Sequence, residues 1–148
     1  MNPRVNIIVP NVYWGLDLNY EADLICVSPA GYATEIEIKV SRGDIKRDLA
    51  KDHCAHNAGI IRRFFYAVPD YLADCEYLPA DCGLITVDKH RQCKTIRPPR
   101  QRKARRLTVS EHAKLLHLGC MRIWGLKESL MRKRREKEDG ARKPGGKI

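Results

Sequence analysis

Glu37 and Lys39 lie two residues apart in a segment where apolar and polar residues alternate, and Asp23 lies in the apolar segment before it. Alternate residues of a β-strand point to the same face, so Glu37 and Lys39 share one face. If the two segments pair as an antiparallel hairpin, Asp23 comes close to both. The pattern therefore predicts two carboxylates and one ammonium at a single place.

These groups are suited to metal-assisted chemistry on a phosphate. Hard divalent cations such as Mg²⁺ and Mn²⁺ prefer carboxylate and carbonyl oxygens. We therefore expect Asp23, Glu37 and the backbone carbonyl of Ile38 to be the protein ligands. A metal held there would orient a scissile phosphate and lower the pKa of a bound water. The ammonium of Lys39 would position that water or stabilise the developing negative charge.

The elements that must position these residues are predicted from the same stretch. Residues 22–27 and 32–40 read as two strands, joined by a turn that contains Pro29 and Gly31. Ser41 and Asp44 are N-cap candidates for a helix that reaches to about residue 56. Asp48 falls on a polar stripe that is predicted to form the outer face of this helix.

The rest of the chain completes an α/β domain. Further short strands are predicted at residues 5–9, 60–68, 83–87 and 94–96, with Pro10 ending the first of them. One domain is expected over residues 1–131, including a basic linker at 97–107 and a C-terminal helix at 108–131. The spacing of Thr108 and Glu111 is that of a capping box. One stripe of the helix is predicted to pack on the sheet: Leu115, Leu118, Met121 or Arg122, and Leu126, with Trp124 close by. Residues 132–148 are expected to form a basic, disordered tail.

Charge is unevenly distributed along the chain. Residues 1–90 hold nine Lys and Arg against thirteen Asp and Glu, whereas residues 91–148 hold nineteen against five. A basic half is typical of proteins that bind a polyanion, so DNA is the expected partner. A solubilising tail is the alternative. The predicted nucleic-acid-binding residues are Lys51, Arg100, Arg102, Lys103, Arg105 and Arg106.

The segment Glu35-Ile36-Glu37-Ile38-Lys39-Val40-Ser41, preceded by Tyr20-Glu21-Ala22-Asp23-Leu24-Ile25 and followed by Asp44 and Asp48, resembles the PD-(D/E)XK nuclease superfamily. Within it the chain is most similar to short phage-encoded and MmcB-like DNA-repair members. The resemblance implies a restriction-endonuclease-like fold, a mixed central sheet flanked by helices. It also implies that Asp23 and Glu37 are metal ligands and that Lys39 is the catalytic lysine.

The chain departs from the superfamily pattern at two points. Ala22 occupies the position of the proline that names the motif, and too little chain precedes Asp23 for the upstream helix that carries a further Glu in many members. Glu21 or Asp17 is the candidate substitute for that ligand. Because members of this size often dimerise, a homodimer is a further expectation.

Other interpretations of the sequence remain open. The main alternative is a non-catalytic nucleic-acid-binding protein on the same fold, and a protein-interaction adaptor is a third. The six cysteines lack paired metal-ligand spacing and are expected to be free thiols, which argues against structural zinc, including a site at His53 and His56. Glu35 is expected to form a salt bridge with Arg42 or Lys46. No segment has the length of a membrane span, and a cytoplasmic location is expected.

Overall fold

The computed structural model describes residues 2–49 and 59–141. Over these ranges it has six strands and two α-helices, with a short 3-10 turn at Asp70–Leu72. The strands are β1 (Ile7–Val12), β2 (Ala22–Val27), β3 (Ala33–Ile38), β4 (Ile61–Pro69), β5 (Gly83–Val87) and β6 (Cys93–Arg97). The helices are α1 (Arg42–Leu49) and α2 (Val109–Ala141).

The strands form one mixed sheet in the order β1-β2-β3-β4-β5-β6. β3 runs parallel to β4, and β4 runs parallel to β5, whereas the other three pairings are antiparallel. The chain is therefore an α/β protein with a mixed sheet, as predicted. The predicted strands at 22–27 and 83–87 are confirmed residue for residue.

Both helices pack on the same face of this sheet. Leu115 and Leu118 of α2 join a buried cluster with Val9 and Ile25 of the first two strands. Ile45 of α1 joins a second cluster, with residues from β4, β5 and the loop between them: Phe64, Tyr66, Val68, Leu72, Cys75, Cys82 and Leu84. The face that carries these clusters is called the covered face below, and the opposite one the open face.

The first strand is longer than predicted. β1 continues through Pro10, which pairs in register with Leu24, and ends at Val12. Proline lacks a donor for a sheet ladder, but β1 is an edge strand, where one side of the backbone needs no partner. The prediction that Pro10 ends the strand is therefore wrong.

The two helices begin where their capping residues predict. The N–H of Asp44 donates to the hydroxyl of Ser41 (3.1 Å) at the start of α1. At the start of α2, Thr108 and Glu111 form the reciprocal capping box, with bonds of 2.7 and 3.2 Å. Residues 50–58 lie outside the described residues, and so does the predicted end of the first helix.

The C-terminal third has a longer helix than predicted and a linker that is bonded to the domain. α2 does not end at residue 131 but continues to Ala141, supported by the i,i+4 pairs Arg132–Glu136 and Arg134–Glu138. Residues 132–141 are therefore helical rather than a disordered tail. The basic linker is tied to the domain by backbone bonds, for example Arg102 N–H to Arg62 C=O (2.9 Å) and Leu107 N–H to Gly31 C=O (2.8 Å). Neither described helix has the length and apolar composition of a membrane span.

Candidate active site

In β3 the acidic side chains are buried, and apolar side chains at the end of the strand are exposed to solvent. Glu35 is completely buried and Glu37 is 5 % exposed, whereas Ile38 and Val40 are 53 % and 61 % exposed. The acidic side chains lie on the covered face because the helices pack there. Burying a carboxylate is costly unless it is paired and hydrogen-bonded. The partners of these groups therefore define the site.

Asp23 and Glu37 meet where β2 begins and β3 ends. In the register of this hairpin Leu24 pairs with Ile36, which puts Asp23 opposite Glu37. The backbone N–H of Asp23 donates to Oε1 of Glu37 (3.4 Å), and Oδ2 of Asp23 accepts from the backbone N–H of Ile38 (2.7 Å). Each carboxylate thus bonds to the backbone beside the other, at one end of the hairpin.

Lys39 is held between two carboxylates. Its Nζ lies 3.0 Å from Oε2 of Glu37 and 2.9 Å from Oδ1 of Asp48, and its side chain is 13 % exposed. Asp48 is 3 % exposed, and its Oδ2 accepts a hydrogen bond from the hydroxyl of Tyr66 (2.8 Å). The prediction that Asp48 lies on the outer face of the first helix is wrong. Asp48 follows the buried Ile45 by three residues, a spacing that puts both on one side of a helix.

Burial and charge shift the ionisation of the two central groups. Burial raises the pKa of Glu37, and the nearby charge of Asp23 adds to this, although the ammonium of Lys39 partly offsets both. Burial by itself lowers the pKa of Lys39. The hydrogen bonds and charges of Asp48 and Glu37 outweigh it, so the net shift of the Lys39 pKa is upward. Lys39 is therefore an ammonium at neutral pH.

Glu35 has a different environment from the one predicted. Both of its carboxylate oxygens accept from the hydroxyl of Tyr20, at 2.6 and 2.8 Å. The predicted partners point elsewhere, because Arg42 pairs with Glu76 and Lys46 lies over the ring of Tyr77. The expected salt bridge of Glu35 with Arg42 or Lys46 is therefore wrong.

The donor set available to a divalent cation is small. The N–H and C=O of one strand residue point towards the same neighbouring strand. Because the Ile38 N–H donates to Asp23 of β2, the Ile38 carbonyl also points towards β2. Glu21 is exposed just before β2, and no contact in the described part of the chain joins it to Glu37. The described residues contain no cluster of three or more His, Cys, Asp or Glu side chains arranged to hold a metal. Two carboxylates, one carbonyl and waters are a ligand set that Mg²⁺ accepts.

The five described residues among the predicted nucleic-acid-binding residues fall into three groups. Arg105 is engaged by both oxygens of Glu111 (2.7 and 2.6 Å), and its side chain supports the start of α2. The guanidinium groups of Arg102 and Arg106 lie over the rings of Phe64 and Tyr32. Arg100 and Lys103 are exposed, and Lys51 lies outside the described residues.

Comparison with known proteins identifies a structural neighbour. The sequence matches no protein-family model and no curated protein. The structure is similar to SPO1766, a protein of unknown function from Silicibacter pomeroyi, with a TM-score of 0.61 and 21% sequence identity. The match covers 89% of this chain and 84% of that one. At this identity the likeness concerns the fold alone.

Proposed function

We propose that the protein is a metal-dependent nuclease that hydrolyses DNA phosphodiester bonds, and that its α/β sheet is of the restriction-endonuclease-like type. The observation that carries the proposal is a set of four charged side chains at the end of β3, of which Glu37 and Asp48 are buried and Asp23 and Lys39 are half-buried. Asp23, Glu37, Lys39 and Asp48 are joined by bonds of 2.7 to 3.4 Å through their side chains and the adjoining backbone. Replacing a buried ion pair by apolar residues of similar size is often neutral or stabilising, so such a set is a candidate for function.

Each of these residues has a separate role in the proposed reaction. Asp23 and Glu37 would hold Mg²⁺ or Mn²⁺, which supplies Lewis acidity and an activated water when bound. Because Lys39 stays protonated, its ammonium serves to stabilise the negative charge that develops on the phosphate oxygens. Asp48 and the hydroxyl of Tyr66 keep the Lys39 ammonium in place. Because the metal would activate the water, the proposed mechanism needs no side chain as a general base.

The choice of DNA as substrate rests on charge and on the linker. Residues 91–148 carry a large excess of Lys and Arg, and Arg100 and Lys103 are exposed on an ordered segment. Cations in fixed positions on a domain surface contact phosphates without reading bases. We therefore infer a salt-sensitive affinity for the DNA backbone that is largely independent of sequence.

The test is a cleavage assay on a panel of linear, nicked, flap and four-way junction DNA with Mg²⁺, Mn²⁺ or EDTA. Cleavage is expected with metal and absent with EDTA, and Lys39→Ala should abolish it. Glu128→Gln, an exposed change on α2, is the matched control and should cleave at the wild-type rate. DNA binding without cleavage under every condition would instead establish a non-catalytic binding protein. Cleavage by Lys39→Ala at the wild-type rate would exclude the assigned mechanism.

A further inference from the structure

A pocket with arginine and hydroxyl side chains lies on the open face of the sheet, next to the turn between β2 and β3. Its volume is about 350 Å³, near the lower end of the range of about 300–1,000 Å³ for small-molecule sites. Thr34 alternates along β3 with Glu35, which is buried on the covered face, so the Thr34 side chain points to the open face. The residues that line the pocket are Ser28, Ala30, Tyr32, Thr34, Arg62 and Arg63.

An irregularity in β4 brings two consecutive arginines to this pocket. Ala33 of β3 pairs with Ile61 of β4. The next residue of β3, Thr34, pairs with Arg63, so Arg62 is an additional residue between the two pairs. Consecutive residues of a regular strand point to opposite faces, whereas a bulge changes the direction of a side chain. Arg62 and Arg63 therefore both line the pocket.

Uncharged groups hold Arg62 in place. Its Cζ lies 4.0 Å from the centre of the Tyr32 ring, and its Nη2 donates to Oε1 of Gln101 (3.2 Å). Its backbone carbonyl accepts a hydrogen bond from the N–H of Arg102 in the basic linker (2.9 Å). The Cζ of Arg106 lies 5.5 Å from the centre of the same Tyr32 ring. Arg62 is therefore oriented before any ligand binds, which lowers the entropic cost of binding.

The positive charge at the pocket is not neutralised by the described part of the chain. Within residues 2–49 and 59–141, no carboxylate forms a salt bridge with Arg62, Arg63 or Arg106. The hydroxyl of Thr34 likewise has no hydrogen-bond partner within these ranges, although Thr34 is buried. Guanidinium groups pair most strongly with anions that offer several acceptor oxygens. The pocket is therefore suited to such an anion.

We propose that this pocket binds the dianion of a phosphate monoester. Arg62 and Arg63 would donate to the phosphate oxygens from their guanidinium groups, Thr34 would donate from its hydroxyl, and Arg106 would add positive charge nearby. A monoester carries almost two negative charges at neutral pH, whereas each phosphate of a nucleic-acid backbone carries about one. Three arginines at one pocket therefore favour the monoester.

The pocket is separate from the candidate active site. Thr34 precedes Ile38 by four residues, which is about 13 Å along β3. Its side chain also points to the face opposite Glu37. Binding at the pocket therefore does not depend on the proposed nuclease activity. EDTA in the buffer prevents a metal at the active site from binding phosphate.

The test is isothermal titration calorimetry of the full chain in EDTA, with adenosine monophosphate and separately with inorganic phosphate. Arg62→Gln and Arg63→Gln should each weaken the binding of adenosine monophosphate at least about tenfold, because each removes a charged hydrogen bond. Arg63 is exposed, so Arg63→Gln keeps the test valid if Arg62→Gln does not fold by circular dichroism. Arg135→Gln, an exposed change on α2, is the matched control and should bind as the wild type. Binding of both compounds would support a site for free phosphate and its esters, and binding of adenosine monophosphate alone would support a site for esters.

The pH dependence identifies the charge of the bound anion. The second proton of a phosphate monoester leaves near pH 6, so the affinity for adenosine monophosphate should rise about tenfold from pH 5 to pH 7. Sulfate is a dianion throughout this range, and its affinity should not rise. Sulfate also controls for changes in the protein, including protonation of His112, which lies close to Gly31 and Arg106.

Three results would overturn the proposal. The first is that neither phosphate compound binds, and the second is wild-type affinity in both arginine variants. The third is an oligonucleotide without terminal phosphates that binds through these arginines as tightly as adenosine monophosphate. That result would indicate a site for the nucleic-acid backbone.

Discussion

Lys39 has two carboxylate partners, and only Glu37 is a proposed metal ligand. Asp48→Asn keeps the shape of the other partner but removes its charge, and so lowers the pKa of Lys39. We expect cleavage to fall at least ~10-fold, the scale on which positioning groups act. The alkaline limb of the pH–rate profile should also move to lower pH, because Lys39 loses its proton sooner. A reduced rate with an unmoved alkaline limb would assign Asp48 a purely structural role. Asp74→Asn, an exposed change of the same type, is the control.

Burial and, to a smaller extent, the charge of Asp23 raise the pKa of Glu37, so the charged form of Glu37 destabilises the metal-free fold. Glu37→Gln removes one charge and keeps the shape, so the metal-free variant should melt at a higher temperature than the metal-free wild type. A metal at about 100 times its Kd should stabilise the wild type by about 2.7 kcal/mol. The variant should lose most of this gain. Melting curves with and without Mn²⁺ measure both effects, and Glu128→Gln should behave as wild type. A full metal shift in Glu37→Gln would show that Glu37 is not a ligand.

At the scale of elements, Glu111 connects the linker to the start of α2. Hydrogen bonds from Arg105 and Thr108 lower its pKa to about 2. A carboxyl whose pKa is lowered by folding adds stability above its unfolded pKa, and that stability is lost as pH falls through the folded pKa. Glu111→Gln should therefore lower the melting temperature at neutral pH. The difference from wild type should shrink as pH falls from about 4.5 towards 2. Because Arg105 is partly exposed, solvent screening limits the effect.

The control for this prediction is Glu138→Gln, which breaks an exposed i,i+4 pair with Arg134 near the end of α2. Pairs of this kind contribute about 0.3–0.5 kcal/mol, so its effect on melting should be small at every pH. A pH-independent difference between Glu111→Gln and wild type would mean that Glu111 acts through packing alone.

In both β3 and α2 the sequence period identifies the residues that share a face but not the face that is buried. The period of two in β3 separates Glu37 and Lys39 from Ile38 and Val40, but periodicity does not say which face the helices will cover. The period of α2 likewise identifies Leu115 and Leu118 together with Trp124 and Leu126, yet only the first two pack on the sheet. The six residues of β1 extend about 20 Å. Because α2 is longer than this, its later residues pass the end of the sheet.

Local chemistry was more informative than periodicity. The helix caps at Ser41 and Thr108 depend on neighbours in sequence, and both were predicted. The same is true of the hairpin that brings Asp23 opposite Glu37. Asp48 and Tyr66 come from separate elements. Their bond arises only when α1 crosses between parallel strands β3 and β4, and no local pattern encodes that contact.

For the molecule as a whole, the charge asymmetry predicts how DNA affinity depends on salt. Each phosphate contact contributes about 0.9 to the slope of log K against log salt on duplex DNA. Replacing both Arg100 and Lys103 by Gln should reduce that slope by up to about 1.8 for every DNA sequence. Arg105→Gln should change it less, because Glu111 already engages Arg105. An unchanged slope in the double variant would show that these two cations do not contact DNA.

The length of α2 also affects how the protein moves in solution. Its 33 residues form a rod about 50 Å long, whereas a domain of about 100 residues has a radius of gyration near 13 Å. A single chain with such a rod experiences more friction than a sphere of equal mass. It should elute early from a sizing column and tumble anisotropically. Apparent size from elution would therefore overstate the mass of a monomer, and removing residues 123–141 should reduce the hydrodynamic radius by more than their share of the mass.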